Sequence, residues 1–77
     1  MNYDKLTASL ADDGTLDTIV NVYDVNGYIV NVARWSQDGA NDYRDENGSF
    51  TDEGLKELLD LTIMFTIDKM LSQEISK

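Results

Sequence analysis

Seventy-seven residues, a net charge of −9 and no cysteine, histidine or proline describe a short acidic chain. Its length fits one domain, residues 1–77, with a modest core. Without cysteine there is no disulfide or thiol chemistry, and without histidine the commonest general base and metal ligand is gone. The charge argues against direct binding to nucleic acid or to an anionic membrane, because both repel it. At 42% hydrophobic residues the chain is too apolar to be read as disordered. The start MNYDKLTASL lacks the basic and apolar regions of a signal peptide. The longest purely apolar runs, such as Ile63-Met64-Phe65, are three residues, too short to span a membrane, so a cytoplasmic location is expected.

In chain order, residues 4–11 come first. Leu6, Ala8 and Leu10 alternate as in a strand, while Tyr3, Leu6 and Leu10 also fit a short helix. The strand reading, feeding a turn at Asp13-Gly14, is preferred. Four glycines follow an Asp or Asn, at Asp13-Gly14, Asn26-Gly27, Asp38-Gly39 and Asn47-Gly48. Such pairs favour turns, because Gly accepts positive φ and Asn or Asp tolerates it. The first three are separated by segments of strand length, which predicts an antiparallel meander.

The tetrapeptide IVNV occurs at 19–22 and again at 29–32, on the two arms of one hairpin. A two-residue Asn26-Gly27 loop would pair Val22 with Asn31 and Asn21 with Val32. A three-residue loop, Val25-Asn26-Gly27 with Gly27 left-handed, would pair Val22 with Val30, Val20 with Val32 and Asn21 with Asn31. The second register gathers like with like on each face and is the one expected. It places Leu16, Thr18, Val20, Val22, Val30 and Val32 on the core face. Ile19, Asn21, Tyr23, Ile29, Asn31 and Trp35 then occupy the other. Residues 40–46 read as a weak, polar edge strand whose charges discourage aggregation.

After Asn47-Gly48 the period changes. Thr51 suits an N-cap, with Phe50 and Leu55 as a hydrophobic staple and Asp52 and Glu53 in the first turn. Leu55, Leu59, Ile63, Ile67 and Leu71 continue at intervals of four, predicting a helix from about 52 to about 72. Leu58, Leu61, Met64, Phe65 and Met70 add a second apolar stripe, more than one sheet contact requires. The excess points to an N-terminal segment over the helix or to a homodimer through Leu58, Leu61, Met64 and Phe65. The β-branched residues Thr62-Ile63 and Thr66-Ile67 keep an extended segment as an alternative. The expected fold is α+β, a three- or four-stranded antiparallel meander with one long C-terminal helix packed on it.

Charge is unevenly distributed. Residues 1–37 carry −3, residues 61–77 carry zero, and residues 38–60, with eight acids and two bases, carry −6. Asp38, Asp42, Asp45, Glu46, Asp52, Glu53, Glu57 and Asp60, with Trp35 and Tyr43 flanking the turn at Asp38-Gly39, form the candidate partner-binding surface. Glu53, Glu57 and Asp60 share one helical face, roughly 5–6 Å apart per turn, a spacing comparable to that of nucleic-acid phosphates. Such a surface suits a cationic groove on a nucleic-acid-binding protein; the plain alternative is a solvated acidic face. For Trp35 the plain alternative is closure of the core. The stretch DYRDENGSFTDE resembles a calcium loop, but Tyr43 and Gly54 stand where the first and last acidic ligands belong. DVNG at 24–27 resembles the start of a dockerin loop, and Tyr28-Ile29 follow where acids are required. No phosphate loop, nucleophile elbow or zinc spacing is present, so no catalytic residue, metal or cofactor is expected and the chain is read as non-enzymatic.

In size, in the acidic block from Asp38 to Asp60 and in compact α+β layout, the chain resembles the small acidic inhibitors of phages and mobile elements, the anti-CRISPR and anti-restriction proteins. The resemblance is one of type and transfers no residue. It implies an inhibitor that binds a basic, nucleic-acid-handling protein, several members being mimics of nucleic acid, and a host cytoplasmic location for a phage-encoded chain. The runner-up is a structural or regulatory homodimer.

Overall fold

The computed structural model describes residues 5–12 and 14–75. Asp13, Tyr3 and Asp4, which entered the sequence reading, lie outside them. Three strands, β1 (Thr7–Ala11), β2 (Thr18–Tyr23) and β3 (Ile29–Trp35), form an antiparallel sheet in the order β1-β2-β3. A short helix α1 (Gln37–Asn41) and a long helix α2 (Asp52–Ile75) complete an α+β fold. The 24 residues of α2 span roughly 36 Å at ~1.5 Å per residue. That exceeds the strands and matches an elongated molecule of 44 × 21 × 20 Å.

The β2–β3 turn is the predicted three-residue loop. The Gly27 amide donates to the Asp24 carbonyl (3.0 Å) and the Asp24 amide to the Tyr28 carbonyl (2.9 Å), with Gly27 at φ +83°. The predicted register nevertheless fails one residue further on. Tyr23 pairs with Ile29, but Val22 pairs with Asn31, Asn21 with Val32 and Val20 with Ala33. Val30 is the extra residue of a β-bulge, and beyond it β3 is slipped by one.

Because side chains alternate along a strand, that slip exchanges the two faces of β3. Asn31, Ala33 and Trp35 stand beside Val22, Val20 and Thr18 on the helix side, while Val32 turns outward and is 56% exposed. Leu16, expected in the core, is 83% exposed in the loop before β2.

The helix supplies the reason. The fully buried positions on α2 are Leu58, Thr62 and Thr66, spaced to form one inward row. The Trp35 Nε1 donates to the Thr62 hydroxyl (3.0 Å) and the Asn31 amide to the Thr66 hydroxyl (3.0 Å). Each hydroxyl in turn donates to the carbonyl four residues back in its own helix, Thr62 to Leu58 and Thr66 to Thr62, both at 2.8 Å. No buried side-chain polar atom among the described residues lacks a partner. The row of Leu55, Leu59 and Ile63, which the four-residue interval marks as core, is only half-buried.

Two further expectations are corrected. Asp38-Gly39 is not a turn but the first turn of α1, where the Ser36 hydroxyl caps the helix by accepting from the Gly39 amide (3.0 Å). Residues 40–46 form no strand; Ala40 is buried inside α1, and only an isolated bridge joins Arg44 to Phe50. The sheet therefore has three strands. Thr51 does cap α2, its hydroxyl accepting from the Gly54 amide (2.9 Å).

Thr66→Val leaves the half-buried Asn31 amide without its acceptor, and a loss of about 0.5–1.5 kcal/mol is expected in urea unfolding. Combining it with Asn31→Leu is expected to restore most of that loss, since both polar partners are then gone. Simple addition of the two single losses would show that the pair is not coupled.

Candidate interaction surface

The acidic block sits on two elements that one close contact holds together. Asp38 lies in the first turn of α1 and Asp42 caps its C-terminus. Asp45 and Glu46 occupy the next turn, and Asp52, Glu53, Glu57 and Asp60 lie on α2. A Cβ at Gly54 would collide with the backbone carbonyl of Tyr43, so the chain at 42–44 is pressed against the first turn of α2 at a site only glycine permits. Asp42, Asp45 and Glu46 are thereby brought to the N-terminal end of α2, beside Asp52 and Glu53. Asp38 is linked to them only through α1, and Glu57 and Asp60 continue along the helix.

All eight carboxylates are exposed, yet they do not all do the same work. Asp45 builds its turn: one carboxylate oxygen accepts from the Asn47 and Ser49 amides (2.9 and 3.1 Å). The Gly48 amide closes on the Asp45 carbonyl (3.0 Å) with Gly48 at φ +83°. Asp24-Val25-Asn26-Gly27-Tyr28 makes the same pattern, the Asp24 carboxylate accepting from Asn26 (2.9 Å) and Tyr28 (3.0 Å). Asp-x-Asn-Gly-x is thus one turn used twice, and the two segments that resemble calcium loops are these turns. The described residues contain no cluster of three or more acidic side chains placed to hold a metal ion.

Bases in the block offset little of the charge. Lys56 pairs with Asp60 one turn on (2.7 Å), and the hydrogen bond and charge of Asp60 raise the Lys56 ammonium above its ordinary value of 10.5. Arg44 turns inward. It donates to the Gly48 carbonyl (2.8 Å) and the Thr18 hydroxyl (3.4 Å) and stacks 4.0 Å above the Phe50 ring. That cation–π contact fixes the 44–50 loop and removes the guanidinium from the acidic face.

Trp35 is half-buried, with its ring 5.9 Å from Tyr43 and 6.0 Å from Phe65 and its N–H committed to Thr62. It knits β3, α2 and the segment after α1 together beside the acidic surface. Of the residues expected at a dimer interface, Leu58 is wholly buried within the chain and cannot contact a second copy. Leu61 is half-buried, and Met64 and Phe65 are 57% and 55% exposed. No helix among the described residues is long and apolar enough to cross a membrane.

A second feature was not anticipated. An open groove of about 430 Å³ runs between β1 and α2, lined by Leu6, Ala8, Leu55, Leu59 and Ile63 among others. Its signal in the sequence was the row Leu55, Leu59, Ile63, which reads as core until the inward row of threonines is known. On the opposite face of the sheet, the Ser9 hydroxyl and the Asn21 amide donate to the Tyr23 phenol (3.1 and 3.4 Å) and lower its pKa below 10.0. Comparison with protein families, curated proteins and solved structures finds no match to this chain.

Gly54→Ala tests the contact that assembles the surface. Alanine is the better helix former by about 1 kcal/mol, yet a net loss of about 1–3 kcal/mol is expected from the clash with the Tyr43 carbonyl. A variant that melts above the parent would mean that the two segments are not pressed together.

Proposed function

We propose that this chain is a non-enzymatic inhibitor that binds a basic, nucleic-acid-handling protein through the acidic surface of residues 38–60. One observation carries the reading: all eight acids of this block are displayed outward, whereas of its two bases Arg44 is turned into the 44–50 loop and exposed Lys56 offsets a single acid, Asp60. A surface that needed charge only for solubility has both signs interspersed, whereas Lys56 is the one exposed cation among these eight acids. Here Asp42, Glu46, Asp52, Glu53 and Glu57 share one end of the molecule, with no cation paired to them among the described residues. Such a field speeds encounter with a cationic groove and weakens with salt. Carboxylates spaced along α2 would stand where phosphates stand, in the manner of a nucleic-acid mimic. The anti-CRISPR and anti-restriction inhibitors of phages are the type to which this reading assigns the chain, acting in the host cytoplasm.

The test is a pull-down from native host lysate at low and high salt, with captured proteins identified. The parent chain is expected to retain a nucleic-acid-binding protein at low salt and release it at high salt. Replacing Asp42, Glu46, Glu53 and Glu57 by Lys is expected to abolish retention with an unchanged circular dichroism spectrum. Asp45 stays in place because its carboxylate holds the turn. Retention undiminished in the quadruple variant would sink the reading.

The exposure of Met64 and Phe65 favours a second reading, a homodimer through Leu61, Met64 and Phe65. Sedimentation equilibrium separates the two: a chain that remains monomeric at high concentration has no such interface.

A further inference from the structure

We propose that the groove between β1 and α2 is a strand-addition site, taking an extended segment of a basic partner protein as a fourth strand along the free edge of β1. The proposal rests on the basic-partner reading for the sign of the charge, and on the fold for the rest.

Strand β1 has one ladder partner, β2, and no backbone hydrogen bond of Thr7–Ala11 runs to any other described segment. Edge strands in soluble proteins are commonly protected by charge, proline or a bulge. Thr7-Ala8-Ser9-Leu10-Ala11 contains no charged residue and no proline, and its pairing with β2 is continuous. Alongside this edge, α2 supplies an apolar wall. Leu55, Leu59 and Ile63 line the groove from the helix, and Leu6 and Ala8 line it from the sheet. The helical stretch from Asp52 to Ile63 rises roughly 16 Å at ~1.5 Å per residue, the length of about five residues of strand at ~3.3 Å each. Strand β1 itself has five residues. An added strand would pair its backbone with β1 and place alternate side chains against the helix row, as in other cases of β-augmentation.

Charge selects the occupant. Asp52, Lys56 and Asp60 also line the groove; Lys56 pairs with Asp60, which leaves Asp52 as the rim charge with no cation partner among the described residues. Glu53 and Glu57 lie on the adjoining face of the same helix. A second copy of the chain would bring another charge of −9 to this edge, which self-repulsion opposes. A segment with valine-like residues at alternate positions and Lys or Arg at its ends satisfies both the groove and its rim, a cationic stem running along apolar surface to reach Asp52, with Glu53 and Glu57 adding to the negative field.

The probe is an eight-residue peptide of alternating threonine and valine closed by a lysine at each end, with a glutamate-ended twin. Nuclear magnetic resonance reads amide shifts and hydrogen exchange of the whole chain. The lysine peptide is expected to slow exchange of outward-facing amides in Thr7–Ala11 at least several-fold, and the glutamate peptide to act at least about tenfold more weakly. Leu59→Glu adds an acid while removing apolar wall, and it is expected to abolish the protection. Leu10→Pro, where the backbone amide faces away from β2 by the alternation of the β1–β2 ladder, is expected to do the same. Stronger binding by Leu59→Glu would mean that charge alone drives the contact, and would overturn the site. Shifts confined to Glu53, Glu57 and Asp60 would also overturn the strand site and leave the basic-partner reading intact. Equal protection by both peptides would support the strand site and overturn the charge it borrows from that reading. Concentration-dependent protection of β1 without peptide would assign the edge to a second copy and overturn the proposal.

Discussion

Two threonine hydroxyls on the buried face of α2 set the register of the sheet beneath them. Thr62 and Thr66 each donate to their own helix and accept from β3, so the two half-buried donors of Asn31 and Trp35 find acceptors on the buried face of α2. A one-residue slip of β3 back to the valine-on-valine register would turn Asn31 and Trp35 to the outer face and give up both inter-element hydrogen bonds, each contributing about 0.5–1.5 kcal/mol. The hairpin gives up the burial of Val32 and takes the polar ladder instead. The bulge at Val30 absorbs the extra residue between a three-residue turn and the register that the helix demands.

This arrangement also decides what α2 offers outward. With the threonine row turned inward, Leu55, Leu59 and Ile63 fall to one side, over the edge of β1, and Leu61, Met64 and Phe65 fall to the other. The excess apolar character of the helix is therefore divided between a groove and a flank, and Glu53 and Glu57 share that flank with Leu61 and Met64. Trp35 marks the limit of the core on the β3 side, where Tyr43 and Phe65 close around it and tie the segment after α1 to the rest. The acidic surface is built outward from that aromatic contact and from the glycine at 54.

Much of the outline was legible because it depends on local chemistry. Thr51 as cap, the onset of α2 at Asp52, the left-handed glycine at 27 and the strand nature of 7–11 all follow from neighbours within a few residues. The segment 36–46 was misread because Asp38-Gly39 carries a strong turn signal. Ser36, two residues earlier, instead caps a helix that Ala40 anchors in the core. The acids were legible as a block, but not their division of labour: that Asp45 is spent on its own turn follows from the Asp-x-Asn-Gly-x pattern, visible in the sequence only when the two copies are set side by side.

The sequence by itself determined the α+β class, the hairpin, the long helix and the concentration of negative charge between residues 38 and 60, since propensity, turn chemistry and charge are properties of short segments. Tertiary structure alone decided which face of β3 is inside, which row of α2 is core, and that two acidic segments meet. Those outcomes depend on hydrogen bonds between residues 27 and 35 positions apart and on a carbonyl resting where a side chain is missing. Neither is encoded in the periodicity of any single element.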